Sequence, residues 1–287
     1  MRNPLVVGVD GSDPSLRAID WAVAEAARRD VDVRLVHASL WAQYEKVTPR
    51  FGSGRPSEHV FAEHILASAA ERAARLDPGV RVSAEIVGRE PVSALLNEAD
   101  TAGAIVLGDR GHGDIGTMLL GSTGLTVAAR ATCPVVVVRG APEALRGGHR
   151  RITVGVGDPG LNAAAVAFAF DEAQVREAAL TAVRAWRQPG PAFSGEPGGT
   201  ASERQGAARV LDEALRVPSE EYPKVAVDRA VPEGRARAFL LDASASSDLL
   251  VLGARHRAVA VGLQLGPVSH ALLHHAECPV VVVPESV

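Results

Sequence analysis

Short apolar runs alternate along this chain with longer segments whose apolar residues recur every three or four positions. Residues 5–9, 104–107 and 135–138 are continuous apolar runs of strand length. Residues 31–38 carry a further strand pattern, and 80–87 alternate apolar and polar as a more exposed strand does. Between them, Asp13-Pro14-Ser15 offers a helix start, and Ala18, Ile19, Ala22, Val23 and Ala26 form one apolar face. Helices are also predicted over 58–76, 91–99 and 123–131, and a loop rich in Gly, Ser and Pro over 48–57. Continuous apolar strands separated by helices call for a parallel sheet covered on both faces. Right-handed crossovers make that sheet open and doubly wound, with ligands bound beyond the carboxyl ends of the strands at the switch point. In a 3-2-1-4-5 order the first and fourth strands are neighbours there, so Asp10 and Gly108 face one cleft.

The pattern then repeats. Cys133-Pro134 followed by four valines recurs as Cys278-Pro279 followed by four valines, 145 residues later (278 − 133). Gly108 and Gly253, and Gly121 and Gly266, keep the same spacing. Val7-Gly8-Val9 returns as Val154-Gly155-Val156. Two copies of one domain follow, at 1–140 and 150–287, joined by a Gly- and Pro-containing linker over 140–150. The second copy has a strand over 180–185, whose Val183-Arg184-Ala185 stands where the first has Val36-His37-Ala38. Its 188–202 segment, the richest in Pro, Gly and Ser, is expected to be mobile or disordered.

Composition narrows the function classes. A net charge of −4 over 287 residues argues against nucleic acid as a partner. No run approaches the ~18 apolar residues of a membrane span. The first residues enter a strand without the layout of a signal peptide. The two cysteines lack ligand-spaced partners and read as buried thiols at equivalent positions, in a cytoplasmic protein. His270 and His274 share a helix face, and the reading is packing rather than a metal site.

The candidate chemistry lies in residues 108–122. Gly108, Gly111, Gly113 and Gly116 surround a loop, and Gly121-Ser122-Thr123 opens the next helix. Glycines allow positive φ and close approach. A helix start presents unpartnered N–H groups and a dipole that favours an anion. The loop fits a nucleotide's phosphates, and it equally fits a tight strand-to-helix turn with no ligand. It is neither a Walker loop nor GxGxxG.

The Gly108-x2-Gly111-x9-Gly121-Ser122 spacing resembles the ATP-binding motif of the universal stress protein family. The opening Val7-Gly8-Val9-Asp10-Gly11-Ser12 and the closing Cys133-Pro134 with its valines are similar to that family's ends, and both copies match. The resemblance implies two tandem Rossmann-like, adenine nucleotide alpha hydrolase-like α/β domains. Each is an open five-stranded parallel sheet of order 3-2-1-4-5 with helices on both faces. It implies ATP with Mg2+ in the first domain. Val9 and Ala38 would frame adenine, partly through backbone groups, Asp10 would bond the ribose or sit near the adenosine, and Gly8 would belong to the same binding set. Gly108 and Gly111 would wrap the ribose–phosphate side, and Gly121, Ser122 and Thr123 would hold the phosphates. Read from the residues themselves, Asp109 and Arg110 are loop charges that either touch phosphate or, the commoner case, stay solvated. The resemblance further implies pairing of the last strands of the two domains, 135–138 with 280–283, a regulatory protein partner, and a homodimer as an option.

The second copy departs from the motif. Gly111 becomes His256, Ser122-Thr123 become Pro267-Val268, and Asp10 becomes Gly157 with Asp158 next to it. Proline donates no N–H. The first copy is therefore expected to bind ATP and the second poorly, unless Arg255, His256 and Arg257 compensate by charge. Three functions compete: a nucleotide-dependent regulator in stress response, a slow ATPase using Asp10, and an interaction scaffold that binds no nucleotide. No residue stands out as a general base, with Asp109 and Asp114 reading as loop carboxylates, so hydrolysis would be weak at most.

Overall fold

The computed structural model describes residues 3–40, 57–111, 120–158, 162–187, 199–254 and 265–285. Most of the 48–57 loop, the middle of the glycine loop with Asp114, most of 188–202, Trp41 and the basic trio 255–257 lie outside the described residues. The chain divides into two compact units, Met1–Val138 and Arg139–Val287.

In the first unit, β1 (Leu5–Gly8) leads to α1 (Asp13–Arg29), β2 (Val33–Ala38), α2 (Ser57–Leu76) and β3 (Val82–Val87). Then follow α3 (Pro91–Glu98), β4 (Ala104–Gly108), α4 (Ser122–Arg130) and β5 (Val135–Val138). The strands are parallel in the order β3-β2-β1-β4-β5. Val7 sits opposite Leu35 and Val106, and all four valines of β5 are buried. Helix α1 starts where Ser12 accepts a hydrogen bond from the Ser15 amide, with Pro14 in its first turn. It ends at Asp30, a non-glycine residue in the left-handed region, whose N–H bonds the Ala26 carbonyl. The Val31 amide bonds that same carbonyl, so β2 begins two residues later than its apolar pattern does.

The second unit repeats the plan. It contains α5 (Pro142–Leu145), β6 (Arg151–Gly155), α6 (Ala163–Val175), β7 (Ala179–Val183) and α7 (Gly199–Glu221). They are followed by β8 (Val227–Ala230), α8 (Ala236–Ser244), β9 (Leu249–Ala254), α9 (Pro267–His275) and β10 (Val280–Pro284). Its parallel order is β8-β7-β6-β9-β10. The 140–150 segment, read as a plain linker, instead holds α5 between two left-handed glycines, Gly140 and Gly147. A Cβ on Gly140 would fall 2.1 Å from the Glu277 carbonyl oxygen, so this turn is packed structure. The buried Asp248 carboxylate fastens its far end by accepting from the amides of His149 and Arg151.

Each unit buries an ion pair at the end of its first long helix, Glu25–Arg29 in α1 and, in the second unit, Glu172 of α6 with Arg176, which caps it. Both cysteines are buried, and burial pushes the Cys133 thiol up to about 11 and the Cys278 thiol up to about 12. Among the described residues, no helix is long and apolar enough to cross a membrane.

Candidate functional site

A cleft of about 380 Å3 opens at the carboxyl ends of the first unit's strands, where β1 and β4 run side by side. Gly8, Val9 and Asp10 form its floor, and Ala38 closes it on the β2 side. Gly108, Arg110 and Gly111 come in from β4, and Gly121, Ser122 and Thr123 from the start of α4. Ten of the eleven residues expected at the site thus meet in one cavity.

The eleventh, Asp109, does not line it. Its carboxylate lies 3.3 Å from the Arg17 guanidinium on α1 and 3.8 Å from that of Arg110. Its carbonyl accepts from the Gly121 amide at 3.1 Å. That bond closes the base of the glycine loop and corrects a second expectation, because the Gly121 N–H is already committed. Gly121 is the N-cap of α4, with φ −60° and ψ 149° and no side-chain cap, and the first helical bond runs from Leu125 N–H to its carbonyl. The donors without a helical acceptor are therefore the amides of Ser122, Thr123 and Gly124. All three residues line the cleft and bring the positive end of the helix dipole to it.

Gly108 was expected to make room for a ligand. A Cβ there would meet the Pro14 carbonyl carbon at 2.5 Å and its oxygen at 2.6 Å. The glycine is thus demanded by the packing of α1 on β4. Gly111 differs: its Cβ would fall 2.7 Å from Asp10 Oδ2, so this position bears directly on the aspartate. Asp10 Oδ1 accepts from the Ser12 amide at 3.0 Å and from its hydroxyl at 2.6 Å, which orients the carboxylate at the end of β1.

The reading from sequence missed the remaining lining, on β2, β4 and on α3, which packs against α4. Val36 and His37 on β2, Pro91 and Leu95 on α3, and Leu107 on β4 supply it, largely with apolar surface. Pro91 and Leu95 are four apart on a helix, which marks them as one face once α3 is known to flank the cleft. His37 Nδ1 is 2.7 Å from the Val9 carbonyl oxygen.

The matching ends of the second unit bond to themselves. The Asn162 side chain accepts from the Gly157 amide at 2.9 Å and donates to the Asp158 carbonyl at 2.7 Å. Arg184, the counterpart of His37, donates to the carbonyls of Val156 and Gly157 and stands 3.9 Å from the Asp158 carboxylate. Helix α9 begins at Gly266 with Pro267 at its first position, and its first helical bond runs from His270 N–H to the Gly266 carbonyl. Two amides, Val268 and Ser269, remain where α4 offers three. On α9 the His270 and His274 ring centroids lie 4.4 Å apart with the planes tilted by 49°, and burial together with the neighbouring His270, His275 and Arg139 charges holds His274 below the usual histidine range. Among the described residues, no group of three or more His, Cys, Asp or Glu side chains could hold a metal ion.

A tandem pair of doubly wound α/β units, the first with a glycine-framed cleft at the strand switch, defines the class. The sequence profile of the Universal stress protein family matches residues 1–139 and 148–284. The universal stress protein Rv2005c of Mycobacterium tuberculosis is 33% identical over 297 residues, covering 98% of this chain and 97% of that protein. A universal stress protein of Mycolicibacterium smegmatis is 31% identical, covering 97% and 96%. A solved universal stress protein from Archaeoglobus fulgidus, 16% identical, shares the fold with a TM-score of 0.71 over all of both chains. The chain belongs to the universal stress protein family.

Proposed function

We propose that the first unit binds one adenine nucleotide, ATP with Mg2+, and that occupancy regulates contacts with a protein partner. The observation that carries this reading is the uncapped turn of α4, whose Ser122, Thr123 and Gly124 amides line the same cleft as Asp10. Helix starts of this kind take phosphate through N–H donors and dipole together. The cavity falls within the ~300–1,000 Å3 of ordinary ligand sites. Arg110 adds a cation on the phosphate side, and the Val36, Ala38, Pro91 and Leu95 wall suits the base. Magnesium would be held largely by the phosphates, with the Ser122 and Thr123 hydroxyls and Asp10 as protein oxygens in the cleft.

The second unit binds nucleotide weakly in this reading, because Arg184 and Asn162 already satisfy the strand ends and Pro267 removes a donor. Asp10 is engaged by Ser12, which favours holding a ligand over activating water. Calorimetric titration of the intact chain with ATP and Mg2+ tests the proposal, with one equivalent bound and a raised melting temperature expected. No binding and no thermal shift would favour a scaffold that takes no nucleotide. Fast single-turnover hydrolysis lost in Asp10→Ala would favour an ATPase.

A further inference from the structure

We infer that His37 reads the six-position of the purine, selecting a 6-amino base over a 6-keto one. This rests on the adenine-nucleotide reading of the first cleft.

The Val9 carbonyl can only accept a hydrogen bond, so the 2.7 Å contact places the proton of a neutral ring on His37 Nδ1. The other nitrogen, Nε2, then carries a lone pair and is an acceptor. No partner is found for it among the described residues. His37 lines the cleft at the β2 wall, where the other side chains, Val36, Ala38, Pro91 and Leu95, offer no hydrogen-bonding group. The polar side chains on the other walls have work of their own. Asp10 accepts from Ser12, and the Ser15 hydroxyl donates to the Ser12 carbonyl. A single, orientationally fixed acceptor in an apolar wall matches the exocyclic amine of adenine. It opposes the O6 of hypoxanthine or guanine, where two lone pairs would face each other.

The second unit supplies an internal comparison. Arg184 holds the matching position and reaches the matching carbonyl of Val156. The position thus ties itself to the end of the first strand in both units. An arginine has donors only, so the acceptor that would read an amine is present in the first unit and missing from the matching position of the second.

Titration of the full chain with ATP and with inosine triphosphate, which carries O6 in place of the amine, tests this. Wild type is expected to prefer ATP by about tenfold or more. His37→Asn keeps a donor for Val9 and, being shorter, leaves no acceptor at the place of Nε2. Its ATP affinity should fall to that for inosine triphosphate, with its melting temperature unchanged. His37→Gln, whose carbonyl reaches the place of Nε2, should retain most of the preference, and this comparison decides if the asparagine variant folds poorly. An unaltered preference in both variants would overturn the assignment and leave the base to be read by backbone. Equal affinity of wild type for the two nucleotides would overturn the assignment alone. Binding of neither would overturn it together with the nucleotide reading beneath it.

Discussion

Ser122→Pro transplants into the first unit the residue that the second carries at the same place, Pro267. The backbone is already suited to it. Gly121 has φ −60° and ψ 149°, and Gly266, which precedes the natural proline, has φ −63° and ψ 160°. Both lie in the extended region that a residue before proline requires. Proline is comfortable at the first helical position, where no helical hydrogen bond is lost. The Thr126 hydroxyl bonds the Ser122 carbonyl, which the substitution leaves in place. The unliganded protein should therefore keep its stability within about 0.5 kcal/mol. What disappears is a hydroxyl at the cleft and one of three amides that have no helical acceptor. A hydrogen bond to a charged acceptor contributes roughly 1.5–3 kcal/mol, and each ~1.4 kcal/mol is tenfold in affinity. Calorimetry should find ATP bound roughly 10- to 100-fold more weakly, with an unliganded melting curve like that of wild type. Ser122→Ala, which keeps the amide, should lose much less. Unchanged affinity in a normally folded proline variant would refute the idea that phosphate sits on this turn.

Gly108→Ala should act on stability instead. Its methyl would collide with the Pro14 backbone, and overpacking of this kind costs about 1–3 kcal/mol, visible as a melting temperature lowered by several degrees. Glu172→Ala should cost about 3 kcal/mol in urea unfolding, because it takes away the carboxylate that the Arg176 side chain, 8% exposed, bonds. His274 is held below the usual histidine range, chiefly by burial. The unfolded chain therefore takes up a proton near pH 6.5 while the native one does so only at lower pH, and stability present above pH 6.5 is lost as pH falls below it and through the lower native value. Unfolding midpoints measured between pH 7.5 and 5 should fall in wild type, and less steeply in His274→Phe.

The strand–helix alternation and the 145-residue repeat made the architecture legible, because continuous apolar runs such as the valines of β5 can only be buried. The glycine spacing located the cleft. The details that patterns do not carry were hydrogen bonds across the fold. Asp109 looked like a loop charge near phosphate, yet its carboxylate belongs to Arg17, 92 residues earlier, and its carbonyl takes the Gly121 amide. Gly108 carried a ligand-approach signature, and its actual neighbour is a proline on α1. The β2–α3 wall was unreadable because Pro91 and Leu95 become cleft residues only once α3 is packed beside β2. His37 adjoined a residue already assigned to the site, but its role depends on a bond to Val9 that no sequence spacing announces.

The central claim is that three backbone amides at the start of α4 receive a nucleotide's phosphates. Amide chemical shifts of the isotopically labelled intact chain, followed by NMR during addition of ATP and Mg2+, test it most directly. The account predicts saturable movement at Ser122, Thr123 and Gly124, with Val268 and Ser269 of the second unit unmoved. Saturable movement confined to the second unit, or none at the start of α4, would contradict it.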